Sequence, residues 1–226
     1  MKKITIKDYI RMGKARGLRL PIQYFFQNHL FDIIRGTNTH FRLDKNDYQE
    51  HPENFEMGVL YMSSVTKEVK NALKFVKNEA KEHFYDFQSF DLGCGKGKTI
   101  LIYSELYGKS AAHKAIGIDY YKPLILIANN NLELTKKTAY AMTYNDDARN
   151  FSKYCTSKRI ILYLYNPFGE NILKDILETS LEKDVFLIYT DPEFSNLVIK
   201  NGFNQILSKK GHYPNRTTSI FYRKSM

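Results

Sequence analysis

From Phe87 onward, short apolar runs of strand length alternate with stretches of helical periodicity, a rhythm that few folds accommodate. Strand-like runs fall at Phe87–Leu92, Ala115–Ile118, Ala139–Tyr144, Arg159–Tyr165 and Val185–Tyr189. Between them Thr99–Tyr107 reads as a helix. Pro123 opens another, carrying Leu124, Ile127, Ala128 and Leu132, and Ile172, Leu173, Ile176, Leu177 and Leu181 mark a third. Glu193–Asn201 is helical, with Gly202 placed to cap it. Arg159–Tyr165 is almost wholly apolar, the pattern of a strand covered on both faces. Two more strand-like runs, Phe203–Leu207 and Thr217–Tyr222, close the chain. The pattern predicts a doubly wound α/β fold: a seven-stranded, mostly parallel sheet with a closing antiparallel strand. In such a sheet the ligand cleft lies at the carboxyl ends of the strands, near the switch point.

The remainder divides in two. Val65–Ala80 places Val65, Val69, Ala72, Leu73, Val76 and Ala80 on one helical face with lysines opposite, and so starts the core, 65–226. Residues 1–64 do not join the rhythm. They form an N-terminal extension, helical near its start and irregular from Gly36 to Met62, which must pack on the sheet or cover its mouth.

Composition excludes several classes. Cys94 and Cys155 are too far apart in sequence to suggest a disulfide framework or a zinc spacing, and the six histidines form no His-x-x-x-His pair. No apolar run approaches the ~18 residues of a membrane span, and the first residues lack the apolar stretch of a secretory leader. The expectation is a cytoplasmic protein without a metal. The net charge is +10 and uneven. Met1–Leu20 holds seven bases against Asp8, and Lys209–Met226 holds Lys209, Lys210, Arg216, Arg223 and Lys224 with no acid. Two basic ends on a nearly neutral body suggest an anionic partner: nucleic acid, a phosphorylated glycan or an acidic membrane surface. Solvated lysines are the plain alternative.

Chemistry concentrates in Phe90-Asp91-Leu92-Gly93-Cys94-Gly95-Lys96-Gly97-Lys98-Thr99, which follows the first strand of the sheet and opens a helix. Glycines there let the backbone approach a ligand and leave helix-terminal N–H groups free. A dinucleotide fingerprint would need glycine where Lys98 stands, which counts against a nicotinamide oxidoreductase. Three further elements end successive strands: Gly117-Ile118-Asp119, Asn145-Asp146-Asp147-Ala148-Arg149 and Asn166-Pro167-Phe168-Gly169. Read singly, Asp119 is a strand-end cap, Asp146 and Asp147 are helix N-caps, and Asn166-Pro167 is a turn. Four in order, each at a carboxyl end, make coincidence a poor explanation.

Together they resemble the class I S-adenosylmethionine-dependent methyltransferases, whose first motif reads Asp/Glu-x-Gly-x-Gly-x-Gly. Asn-Pro-Phe-Gly is similar to the corresponding loop of an uncharacterised bacterial branch. So are Asp32…Gly36-Thr37-Asn38-Thr39 and Tyr61-Met62-Ser63, although Ser63 stands where that branch favours proline. The resemblance implies S-adenosyl-L-methionine as cofactor. It would be bound by Asp91 (the methionine amino group), Gly93, Cys94, Gly95 and Gly97 (the turn), and Asp119 (the ribose hydroxyls). Asp147, or its rival Asp146, would meet the adenine amino group, and Thr39 and Tyr61 would close over the methionine end. Asn166, Pro167 and Phe168 would form the catalytic loop, with N-methyl transfer slightly favoured because no core-motif histidine offers a general base. Lys209, Lys210, Arg216 and the basic N-terminus would face an anionic or macromolecular acceptor. O-methylation of a glycan or small metabolite is the alternative. A non-catalytic nucleic-acid or membrane-surface binder is the reading from another class.

Overall fold

The computed structural model describes residues 6–40, 62–166, 168–211 and 216–225. Three helices lead the chain: α1 (Ile6–Arg16), α2 (Arg19–Tyr24) and α3 (Leu30–Arg35), the last two joined without a break by a π-helical turn, Phe25–His29. Next come α4 (Thr66–Ala80) and a 3-10 turn, then β1 (Gln88–Leu92), α5 (Lys98–Tyr107), β2 (Ala115–Asp119), α6 (Lys122–Leu134) and β3 (Ala141–Asn145). A second 3-10 turn, Ala148–Tyr154, leads to β4 (Arg159–Tyr165), α7 (Glu170–Thr179), β5 (Asp184–Thr190), α8 (Ser195–Lys200), β6 (Asn204–Lys210) and β7 (Thr217–Arg223).

The seven strands form one sheet in the order β3-β2-β1-β4-β5-β7-β6. β1 to β5 pair in parallel, and β7 runs antiparallel to both β5 and β6. β6 therefore points the same way as the parallel strands, and its end at Lys210 reaches the carboxyl edge. The predicted architecture is the observed one, a Rossmann-like α/β sheet. β3 starts two residues later than the apolar run suggested, because Tyr140 and Ala141 donate to the Lys137 carbonyl in a turn (2.8 and 3.0 Å).

Alternation along the strands makes two cores. Ile161, Tyr163, Phe186 and Ile188 face one side, with Val69, Leu73 and Val76 of α4 and Leu101 of α5. Phe90, Leu92, Leu162, Leu164 and Leu187 face the other, with Ile172, Leu173, Ile176 and Leu177 of α7 and Val198 of α8. Burial on both faces is what a parallel sheet with crossover helices requires. The order reverses between β1 and β4, which opens the cleft at their carboxyl ends.

Candidate functional site

β1 runs out at Leu92 into the turn Gly93–Gly97, and α5 starts at Lys98. Gly93, Gly95 and Gly97 all take left-handed backbone angles, with φ of 78°, 53° and 78°, a region that other residues enter at a cost. At Gly97 a Cβ would also stand 3.1 Å from that of Ala128. The Gly93 and Cys94 N–H groups donate to the Ile118 carbonyl (2.9 and 3.0 Å), which draws the turn over the end of β2. Cys94 lies buried there beside Gly117, where a Cβ would come within 2.9 Å of its Sγ.

Two buried carboxyls flank this turn. Asp91, on β1 opposite Gly117, is pushed up to about 8 by burial; a hydrogen bond with Thr99 opposes that rise, and the charge of Asp119 adds to it. Asp119 ends β2. Its Oδ2 accepts from the Gly95 N–H at 2.8 Å and its Oδ1 from the Tyr121 N–H at 2.9 Å. Burial raises it to about 6 against those two bonds. Each oxygen of a carboxylate has a second lone pair, so the cap and a ligand are compatible.

The leading helices end against the same turn. Asp32 is buried and accepts from the Thr37 and Thr39 hydroxyls (2.6 and 2.8 Å), the Thr39 and His40 N–H groups (2.7 and 3.0 Å) and the His40 ring. Burial alone would raise its pKa, and these bonds hold it low instead. Asn131 of α6 joins the segment to the turn: its Oδ1 accepts from Asn38 N–H at 2.9 Å, and its Nδ2 donates to the Lys96 carbonyl at 3.0 Å. Lys96 and Lys98 are buried rather than solvated. The Lys96 ammonium donates to Asn38 Oδ1 at 3.3 Å, and that of Lys98 to the Gln27 carbonyl and Asn28 Oδ1, both at 2.9 Å. Burial lowers them to about 8 and about 7, with Asp32 opposing. A bidentate pair between Arg35 and Glu105 of α5 (2.5 and 2.8 Å) fastens the other flank. Thr39 thus lies enclosed beside the turn, and the sequence missed the two lysines and Asn131. Burial of the lysines leaves no local signal, because Gln27, Asn28 and Asn38 reach them from far along the chain.

At the end of β3, Asn145 donates to the Asp119 and Tyr120 carbonyls (3.0 and 2.8 Å). Asp147 caps the 3-10 turn through Arg149 N–H at 2.9 Å and pairs with the Arg149 side chain. Asp146 accepts from Tyr154 O–H and Asn150 Nδ2, both at 2.7 Å. Asp147 therefore makes the capping contact that the plain reading expects, whereas Asp146 is engaged by side chains of the same turn.

Past β4 the edge is different. Asn166 has φ 35°, a left-handed angle that asparagine tolerates better than most residues. Tyr189 O–H donates to its Oδ1 at 3.2 Å, and its Nδ2 donates to Glu193 at 3.3 Å. A carboxylate only accepts, so this chain sets which end of the amide is oxygen. Neither Tyr189 nor Glu193 was marked by the sequence. Phe168 packs partly buried against the α7 core. Tyr61, Pro167 and His212 lie outside the described residues. The Tyr165 hydroxyl is buried with no hydrogen-bond partner among the described residues, and Arg216 sits over the Tyr165 ring at 4.9 Å and 3.5 Å from Asp191. Lys209 and Lys210, opposite Thr218 and Thr217, are exposed at the same edge. Arg223 is not: it lies at the far end of β7, buried, donating to carbonyls of Leu177, Ser180 and Asn201. The C-terminal bases thus divide between the two edges of the sheet.

The framework recurs in solved structures at low identity. The tRNA methyltransferase TrmK of B. subtilis is 12% identical over 72% of this chain and 67% of its own, with a TM-score of 0.52. An RNA methyltransferase from Salinibacter ruber, in complex with S-adenosyl-L-homocysteine, is 11% identical over 73% of this chain and 95% of its own, with a TM-score of 0.50. TrmN from Thermus thermophilus reaches 0.54 at 15% identity, over 72% of this chain and 49% of its own. Likeness at this level establishes the shared Rossmann-like fold. No protein-family model matches the chain, and no curated protein matches it in sequence.

Proposed function

We propose that this chain is an S-adenosyl-L-methionine-dependent methyltransferase, with the glycine turn as the cofactor end and the Asn166 loop as the acceptor end. One observation carries the reading. Asp91 is a carboxyl enclosed beside a left-handed glycine turn, its pKa raised by burial, and among the described residues no cationic side chain offsets that rise. Such a group calls for a cation from outside the chain, and the cofactor's ammonium has that chemistry. Asp119 would accept from the two ribose hydroxyls with its remaining lone pairs, and Thr39 and Tyr61 would border the methionine end. Asp146 and Asp147 are already engaged by their own turn, so an adenine contact from either would be made beside those bonds.

Bound there, the cofactor supplies an already activated methyl group. The chain's task is to align an acceptor with it and exclude water. Asn166 Oδ1 keeps one lone pair beyond its bond from Tyr189, enough to accept from an acceptor N–H and aim that nitrogen. Glu193 offers a carboxylate close by for the proton that leaves. Orientation of an amine by Asn166 is the ground on which N-methyl transfer is preferred, since Glu193 would take the proton of a hydroxyl equally well. Lys209, Lys210 and Arg216 favour an anionic acceptor. Cytosol suits two free thiols, Cys94 buried and Cys155 partly so.

Titration calorimetry with S-adenosyl-L-methionine, S-adenosyl-L-homocysteine and NADH tests the cofactor. Binding of the first two and not the third is expected, and tight NADH binding overturns the reading. Transfer of tritium from methyl-labelled cofactor into fractionated cell extract then shows whether label enters RNA, protein, glycan or small molecules.

A further inference from the structure

The helices that bring Asp32, Asn28 and Gln27 to the glycine turn have a second face that none of the described residues covers. Pro21, Tyr24, Asn28, Phe31 and Asp32 are buried toward the core. On the other side Leu18, Ile22 and Phe26 follow one another at spacings of four through α2 and the π-helical turn, all exposed, Leu18 by 76%. α1 packs on α2 through Tyr9 against Tyr24, and leaves Ile6 and Ile10, also four apart, 79% and 53% exposed. Ile33 and Ile34 continue the exposed apolar surface on α3, at 66% and 69%. Single exposed aliphatic side chains are ordinary, but seven on one small helical unit are not.

The charges around them are of one sign. Lys7, Arg11, Lys14 and Arg19 are interleaved with these residues, and between Ile6 and Phe31 the only acid in the sequence is Asp8, which pairs with Arg11. Three occupants differ in what they demand. RNA would use the bases and Phe26, but aliphatic side chains neither stack on bases nor hydrogen-bond. A second copy would use the isoleucines, but two-fold pairing would bring the two basic clusters together. An anionic lipid surface uses both, since apolar side chains enter the acyl boundary while lysines and arginines meet phosphate headgroups.

We infer that α1, α2 and the π-helical turn form a peripheral docking face for an anionic membrane surface, through Ile6, Ile10, Leu18, Ile22 and Phe26 together with Lys7, Lys14 and Arg19. This goes beyond the proposed chemistry and does not depend on it. It places the membrane on the reverse side of the segment that holds Asp32 and Lys98 against the glycine turn.

The test is sedimentation of the full chain with vesicles of phosphatidylglycerol and phosphatidylcholine in equal parts, against phosphatidylcholine alone. Binding is expected to the anionic vesicles only, and to weaken at high salt. Leu18→Ser with Ile22→Ser should lower the partition coefficient about tenfold or more. Lys7→Glu with Lys14→Glu should lower it comparably. These positions are exposed, so circular dichroism should show unchanged folds, and Ile6→Ser with Ile10→Ser provides a second apolar pair. No binding to anionic vesicles overturns the inference. So does binding that charge reversal abolishes but both serine pairs leave intact, since the apolar row would then not enter the lipid. A dimer in analytical ultracentrifugation that the serine pairs dissociate, without vesicle binding, assigns the face to a second copy instead.

Discussion

The two halves of the carboxyl edge are built on different principles. Around β1 and β2 the charged groups are buried and most are firmly held: Asp119 by two backbone N–H groups, Asp32 by five donors, Lys98 by two carbonyl oxygens. Around β4, β5 and β7 the side chains are half-open. Asn166 is strained and hangs between Tyr189 and an exposed Glu193, Tyr165 has a hydroxyl with no partner among the described residues, and Lys209 and Lys210 face solvent. The first half is preorganised, with its desolvation cost met during folding. The second is left adaptable, as suits a site whose ligand differs from one enzyme to the next on the same fold. Changes in the first half should therefore cost stability and cofactor affinity, and changes in the second should cost turnover or acceptor binding and spare the cofactor.

The largest effect is expected from Asp32→Ala. It takes an acceptor from the His40 ring, two hydroxyls and two backbone donors, and removes the carboxylate that opposes the effect of burial on Lys96 and Lys98. A stability loss of about 3–5 kcal/mol follows, read by denaturant unfolding. A loss near zero would mean that the segment is not fastened to the turn. In the adaptable half, Asn166→Ala should lower turnover on the order of a hundredfold with cofactor affinity preserved, provided its bond matures mainly in the transition state. Equal loss of both would erase the contrast between the halves.

Asp119→Ala removes the acceptor proposed for the ribose, at a cost of about 1.5–3 kcal/mol in cofactor binding by calorimetry. Because Asp119 also caps the N–H groups of Gly95 and Tyr121, some loss of thermal stability should accompany it. The pH dependence sharpens the same half. Asp91 stands at about 8 when folded, well above its ordinary 3.8. A raised carboxyl contributes stability that is complete below the unfolded value and is lost as pH rises through the folded one, here from about 4 to about 8. A cationic ligand needs the carboxylate, so affinity should rise with pH up to about 8, by up to about tenfold per unit, with proton release on binding. Asp91→Asn should flatten that slope, and a wild-type affinity independent of pH between 6 and 8 would remove the ammonium from Asp91. The smallest effect belongs to Lys209→Glu with Lys210→Glu: a several-fold rise in acceptor KM, diminished at high salt, with cofactor affinity unchanged. Salt-independent kinetics with the true acceptor would show these lysines to be ordinary solvated charges.

Much of this was legible in the chain. Strand and helix periods located β1, β2, β4 and β5 within a residue or two, because burial on both faces leaves continuous apolar runs that little else produces. The same four runs led directly to Asp91, Asp119 and Asn166 as carboxyl-end residues. Asp146 and Asp147 are the reverse case. Sequence makes either an adenine contact or a cap, and only the folded chain shows Asp147 capping Arg149 N–H while Asp146 is held by the side chains of Asn150 and Tyr154.

Local pattern, then, determined the α/β class, the place of most strands and the glycine turn, since each follows from side-chain periodicity or backbone freedom within a few residues. Tertiary structure alone decided the partners. Lys96 and Lys98 look like solvent charges in sequence and are buried, because Gln27, Asn28 and Asn38 come to them from some 58 to 71 residues away. Arg223 reads as part of a basic tail and instead holds carbonyls at the opposite edge of the sheet. Ion pairs and hydrogen bonds of that span leave no period along the chain, because they depend on which surfaces the packed core brings together.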